Sequence, residues 1–155
     1  MSVTHSTFSL ERTYDAPPAR VFAAFADAEQ KRQWFTGPEE WTLEAFELDF
    51  RVGGREINRG APKGGGPVHA FEAVYHDIVP DERIVYAYEM HLDEKRLSVS
   101  LATIELEPVE DGTRLTLTEQ GAYLDAFDDP ALRETGTNDL LDALGAHLAQ
   151  APAGR

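Results

Sequence analysis

Along most of this chain, apolar and polar residues alternate with a period of two. From Thr7 to Tyr14, Phe8, Leu10, Arg12 and Tyr14 alternate with Ser9, Glu11 and Thr13, the spacing of a strand with one apolar side. Similar runs follow at Trp41 to Phe50, Arg55 to Arg59, Val68 to Val79, Arg83 to His91, Leu97 to Glu107 and Thr113 to Gln120. Between them lie Val52-Gly-Gly54, the glycine-rich stretch Arg59 to Pro67, Pro80-Asp-Glu82, Leu92 to Lys95 and Asp111-Gly112, all residues that accept turn conformations. Connectors this short leave no room for the crossover helices of parallel strands, so the pattern predicts an antiparallel meander.

Three stretches change period. Asp15-Ala-Pro-Pro18 ends the first strand, and Val21, Phe22 and Phe25 then recur at helical spacing, with proline tolerated in a first turn. Asp27 stands three residues before Gln30, a capping-box-like spacing that starts a second short helix ending near Trp34-Phe35-Thr36-Gly37. From about Thr137 to Gln150, Leu140, Leu141, Leu144 and Leu148 share one stripe with Asp139 and Asp142 beside it, predicting a helix with a broad buried face. A sheet with one apolar face must cover it, and only this terminal helix is long enough. The pattern therefore predicts a single α+β domain over 1–150. It consists of a curved antiparallel sheet of six to seven strands wrapped around a long C-terminal helix, with an apolar cavity between them, followed by a frayed tail at 151–155.

Composition narrows the partners. The chain has 155 residues, 42% of them apolar, enough for one core. Its net charge of −14, from 28 acidic and 14 basic residues, repels phosphate backbones and anionic headgroups, so nucleic acid and membrane surfaces are not expected partners. The lack of cysteine excludes disulfides and thiolate chemistry and fits a reducing compartment, with the cytoplasm as the expectation. Met1 to Leu10 has no export pattern, and no run approaches the roughly 18 apolar residues of a membrane-spanning helix.

The candidate chemistry is aromatic. Trp34, Phe35, Trp41, Phe46, Phe71, Tyr75, Tyr86, Tyr88 and Met90 fall on elements expected to surround the terminal helix, and all of these but Trp41 form, with His69, the candidate ligand-binding set. The plainer reading is ordinary core packing. Tyr86 and Tyr88, however, put two hydroxyls on one strand face, where burial demands hydrogen-bond partners. His69 and His91 would add polar points to an apolar cavity, the usual make-up of a small-molecule site.

No metal or cofactor is expected, because no two of the five histidines share one element at ligand spacing. His76-Asp77 has no nucleophile motif to serve, so no catalytic residue is assigned. Gly60-Ala-Pro-Lys-Gly-Gly-Gly-Pro67 lacks the Ser or Thr and the helix start of a phosphate loop, and reads as a hairpin tip able to act as a lid. Gly53-Gly54 marks a bulge or corner. Arg51 and Arg55 beside it either pair with Asp49 and Glu56 on the surface or offer a basic spot. Asp125, Asp128 and Asp129 lack the pattern of a calcium loop and read as a solvated approach to the last helix, with Asp129 as its cap.

Five separated segments resemble one family. They are Arg12-Thr-Tyr-Asp-Ala-Pro-Pro-Ala-Arg-Val-Phe22, Gln33-Trp-Phe35, Asp49-Phe-Arg-Val-Gly-Gly-Arg55, Tyr75-His-Asp-Ile-Val-Pro-Asp-Glu-Arg-Ile-Val-Tyr86 and Gly112-Thr-Arg-Leu-Thr-Leu-Thr118. In order and content they resemble the START-like (SRPBCC) helix-grip superfamily, and within it the family named after the activator of the ninety-kilodalton heat-shock protein ATPase. The chain departs from many relatives before its last helix, where Thr135-Gly-Thr-Asn-Asp-Leu140 replaces a tryptophan-bearing stretch. The resemblance implies a sheet–helix cavity for small apolar or amphipathic molecules, so the leading functional expectation is a binder of a small hydrophobic molecule. A cyclase- or dehydratase-like enzyme, with Glu72 or Glu119 as proton shuttle, is the alternative, decided by which way those acids face. A third expectation, an interaction protein, rests on the fold alone, and ATPase stimulation is not expected from it. Val99 and Leu101 would serve its softer form, a homodimer through the sheet.

Overall fold

A computed structural model describes residues 2–35 and 41–150. Its elements are β1 (Val3–Tyr14), α1 (Pro18–Ala26), α2 (Ala28–Trp34), β2 (Trp41–Leu48), β3 (Arg55–Pro62), β4 (His69–Val79), β5 (Arg83–Leu92), β6 (Lys95–Val109), β7 (Gly112–Leu124) and α3 (Pro130–Ala149). All seven strands join one sheet in the order β1-β7-β6-β5-β4-β3-β2, every pairing antiparallel. This is the expected helix-grip arrangement. The expected end of the second helix at Thr36-Gly37 and the tail at 151–155 lie outside the described residues.

Several strands outrun their patterns because a partner supplies ladder bonds where the apolar alternation stops. β1 begins at Val3, since β7 extends to Leu124 and pairs with it residue for residue. β3 continues to Pro62 because Trp41 of β2 lies opposite, which shortens the expected hairpin tip. At the β2–β3 corner a Cβ on Gly54 would stand 2.0 Å from the Asp49 carbonyl oxygen, so only glycine fits. Backbone bonds from Gly53 N–H to the Tyr75 carbonyl and from Tyr75 N–H to the Gly54 carbonyl fasten this corner to β4.

Alternation sends one set of side chains to the concave face, and the register arranges them in rows. One row runs Tyr75, Tyr86, Ala102, Glu119, Phe8; the next runs Ala73, Tyr88, Ser100, Gly121; a third runs Phe71, Met90, Ser98, Tyr123. Ile84, Ile104, Leu115 and Leu117 continue the apolar floor toward the other end, and all are buried.

α3 starts about two turns before the predicted Thr137. The Asp129 carboxylate caps the Ala131 N–H at 2.9 Å and Pro130 occupies the first turn. Gly136 lies inside the helix, while the Thr135 and Thr137 hydroxyls donate to the carbonyls of Ala131 and Arg133 at 3.1 and 2.9 Å. Thr137, Leu141, Leu144 and Leu148 form the buried stripe, and Leu140 is half-buried. This half of α3 packs on β1, α1 and α2, and the Tyr14 hydroxyl donates to the Leu141 carbonyl at 2.8 Å. In the first turns Ala131, Leu132, Thr135 and Gly136 are exposed, and Arg133 reaches down to the sheet.

Leu144→Ala should therefore cost about 2–5 kcal/mol in urea unfolding, whereas Leu132→Ala, at 66% exposure, should stay within about 0.5 kcal/mol. Equal effects would contradict the two-part seating of α3.

Candidate functional site

Two polar clusters sit within the aromatic core between sheet and helices. The first joins α2 to the sheet. Asp27 caps α2 by accepting from the Glu29 N–H at 3.0 Å, which sets the helix so that Lys31 and Trp34, three residues apart, point inward. The Lys31 ammonium, 2% exposed, donates to Glu56 Oε1 at 2.6 Å, and Glu56 is completely buried. The Tyr75 hydroxyl donates to the same oxygen at 2.6 Å. The ammonium lies 4.4 Å from the Phe35 ring centroid, with Tyr86, Phe71 and Tyr75 at 5.9, 6.0 and 6.0 Å, a cation wrapped by π-faces. Burial, and then the Glu56 charge, push the Tyr75 phenol far above its ordinary value, so it stays a donor. Desolvating both charges offsets much of their attraction; the pair therefore chiefly fixes where α2 sits over β3. Glu56, expected on the surface beside Arg55, is thus an interior residue, because it shares its strand face with Asn58 and faces the row of Ala73.

The second cluster lies under the first turns of α3. Tyr88 of β5 donates to Glu119 Oε1 at 2.6 Å, and Arg133 Nη1 donates to the Tyr88 oxygen at 3.2 Å. Arg133 Nη2 donates to Ser98 Oγ at 2.9 Å and to the Asp128 carboxylate. The guanidinium also lies over the rings of Tyr123 and Tyr88, at 5.1 and 5.7 Å. Burial raises the Glu119 carboxyl above the usual carboxylate range, opposed by the Tyr88 hydrogen bond and the Arg133 charge. Ser100, next to Tyr88 in register, carries a buried hydroxyl with no hydrogen-bond partner among the described residues. Chemically this is a carboxyl and a phenol in proton-transfer contact beside one guanidinium.

The expected site residues divide. Phe35, Phe71, Tyr75, Tyr86 and Tyr88 converge, with ring centroids 5.0 Å apart for Phe35–Phe71 and 4.8 Å for Phe71–Tyr88, and Met90 packs against them. Trp34 turns the other way, donating to the Ala24 carbonyl at 3.0 Å and meeting the Phe25 edge, so it clamps α2 to α1. His69 is half-buried and lies against Trp41, ring centroids 4.5 Å apart and planes tilted by 51°, and burial lowers its basicity. Phe46 is half-buried on β2, in register with Asn58.

His91 does not join His69. It lies two positions from Glu89 on the outer face, 3.0 Å from that carboxylate and beside Arg96. The two candidate acids face opposite ways: Glu72 is on the outer face, 4.0 Å from Arg59, whereas Glu119 is inside. Asp128 is not a solvated approach residue but a partner of Arg133. An open groove of about 360 Å³ lies away from these residues, at the β2–β3 corner, lined by Leu48, Asp49, Arg51, Arg55 and Ile57 among others. Among the described residues no group of three or more His, Asp or Glu is placed to hold a metal, and no helix is long and apolar enough to cross a membrane.

Sequence reasoning missed Lys31, Glu56 and Arg133. The first two had a signal: Lys31 lies three residues before Trp34 on one helix face, and Glu56 alternates with Asn58. Arg133 had none, since only the fold brings α3 over Ser98.

Comparison with known proteins adds a family. The sequence model described as Activator of Hsp90 ATPase homolog 1-like protein (AHSA1) matches residues 15–149. A solved protein of Rhizobium leguminosarum is 46% identical, with a TM-score of 0.90, the match covering 95% of this chain and 96% of that one. A solved protein of Rhizobium loti is 50% identical, with a TM-score of 0.87 over 95% and 99% of the two chains. The AHSA1-like protein from Aeromonas hydrophila, 17% identical over 97% of this chain and 100% of that one, shares the fold at a TM-score of 0.70. No curated protein matches significantly.

Two predictions follow from the buried charges. Lys31→Met or Glu56→Gln alone should cost about 3–5 kcal/mol, and the double variant Lys31→Met/Glu56→Leu should recover most of it, read by denaturant midpoints; additive losses would mean the pair is not the determinant. Glu119 has a folded-state pKa above its ordinary 4.5, so the stability it confers is complete below 4.5 and is lost as pH rises through the raised value. The stability of wild type minus that of Glu119→Gln should therefore fall with rising pH across that window in urea titrations, and a flat or rising difference would refute the assignment.

Proposed function

The chain belongs to the Activator of Hsp90 ATPase homolog 1-like family, and from that premise we propose that it binds a small amphipathic molecule in the hollow between sheet and helix. The apolar body lies against Phe35, Phe71, Met90 and the Trp41–His69 pair, with Tyr86 and Phe46 flanking it. The polar end meets Tyr88, Glu119 and Arg133. One observation carries this reading: a carboxyl, a phenol and a guanidinium converge at the border of the aromatic cluster, at the end where the first turns of α3 are exposed. Stability alone does not account for them, because apolar residues of similar volume would fill the space at no desolvation cost. A few convergent polar groups among aromatic walls are what a small-molecule site requires.

A second reading has its own observation. Glu119 faces inward, is buried, and is hydrogen-bonded to a phenol, as a general acid–base group would be. The exposed Val99 and Leu101 lie on the outer face of β6 and bear on self-association, not on this site.

Solvent extraction of the purified protein followed by mass spectrometry should release a stoichiometric amphipathic compound, or the emptied protein should give a saturable signal with an environment-sensitive apolar dye. If no compound is released and the dye response is linear, the reading is abandoned.

A further inference from the structure

We propose that Arg133 seats a carboxylate head group and that Asp128 is its built-in stand-in, so that the ligand is an amphipathic monocarboxylate whose head takes the place of the Asp128 side chain. This rests on the binding reading above and specifies its ligand class.

The guanidinium is positioned without Asp128. Its side chain is only 11% exposed, it donates to two neutral hydroxyls, those of Tyr88 and Ser98, and it lies over two tyrosine rings. These contacts fix the plane of the fork and leave one charged partner, Asp128 Oδ2, whose place a carboxylate of the same shape can take. Asp128 can turn away without being left bare, since its Oδ1 separately accepts from the Asp129 N–H at 2.9 Å.

The segment carrying Asp128 bears marks of a rim. Asp125 and Ala126 both adopt left-handed backbone, with φ of 52° and 58°, a conformation that side chains other than glycine enter reluctantly. Phe127 next to them is 47% exposed, with the Lys95 ammonium 4.9 Å from its ring centroid, and Leu132 a turn away is also exposed. An apolar tail passing this rim on its way inward would meet both side chains.

Inside, Ser100 supplies a second point. Its residue is 3% exposed, its hydroxyl has no partner among the described residues, and it stands on the same strand face as Ser98, two positions further in and beside Tyr88. A head group bonded to Arg133 and Ser98 has this donor next along the strand. Charge selects a monoanion. The seat has one guanidinium, flanked by Glu119, whose burial favours its neutral form, and by Asp128 itself, in a chain of net charge −14. A doubly charged phosphate would meet too little positive charge.

The test is displacement of an apolar dye by decanoate and, separately, by decan-1-ol, from wild type, Asp128→Asn, Asp128→Ala and Arg133→Gln, each checked for a cooperative melt. Removing the internal carboxylate should tighten decanoate by roughly tenfold and leave decanol unchanged, and Arg133→Gln should weaken decanoate at least as much with decanol again unchanged. The proposal is overturned if both Asp128 variants leave decanoate unchanged, or if decanoate and decanol tighten alike. Decanol binding without any such preference would end the carboxylate assignment and leave the binding reading standing; displacement by neither probe from any variant would end both.

Discussion

The concave face is wider than one helix, and most of the molecule is a response to that mismatch. Seven strands about 4.8 Å apart span roughly 29 Å, while an α-helix with its side chains measures about 10–12 Å. The buried half of α3 therefore covers only the side of the sheet near β1, through Leu141, Leu144 and Leu148, and its first turns reach β5 and β6 through Arg133. The far side, over β3 and β4, must be covered by something else. Lys31 of α2 and Phe35 at its end reach over β3 and β4, and Phe35, Phe71, Tyr75, Tyr86 and Tyr88 fill the space in edge-on and tilted contacts. Large aromatic side chains are what fills the sheet face that the buried half of α3 does not reach.

The two polar clusters beneath that cover differ in kind. Lys31 and Glu56 are sealed, each on a separate element, and removal of either leaves a buried charge with no counter-charge. They specify the placement of α2. Arg133 instead hangs from the exposed first turns of α3 and bonds three residues from β5, β6 and the β7–α3 connector. Losing one of those bonds leaves it still held. A fixed pair suits architecture, and a multiply held cation with one replaceable anion suits recognition.

Much of this was legible in the sequence, for reasons that also explain what was not. Period-two runs broken by glycine and proline announce strands and turns because those signals are local, and the stripe from Leu140 to Leu148 announces a buried helix face for the same reason. The leucine stripe alone starts α3 near Thr137, whereas the Asp129 cap and Pro130 start it two turns earlier. Facing was harder. His69 and His91 lie on neighbouring strands, but counting by twos from Tyr88 puts His91 on the outer face with Glu89, away from His69. Glu56 reads as a surface acid until Lys31, twenty-five positions earlier, is known to approach it. The aromatic set was recoverable from alternation, whereas the charged groups that give the hollow its chemistry depend on contacts distant in sequence.

The hydrogen-bond inventory also separates binding from catalysis. A phenol that is to polarise a substrate carbonyl needs a free proton donor, but the Tyr88 proton goes to Glu119 and its oxygen accepts from Arg133. A substrate entering as an electrophile would have to break the Tyr88–Glu119 bond first, inside a low-dielectric interior where an unmade bond is expensive. A head group entering at Arg133 exchanges one carboxylate for another and leaves that bond intact. The route that disturbs fewest buried partners is recognition at the guanidinium, and any proton chemistry by Glu119 would come only after a ligand had replaced the tyrosine as its partner.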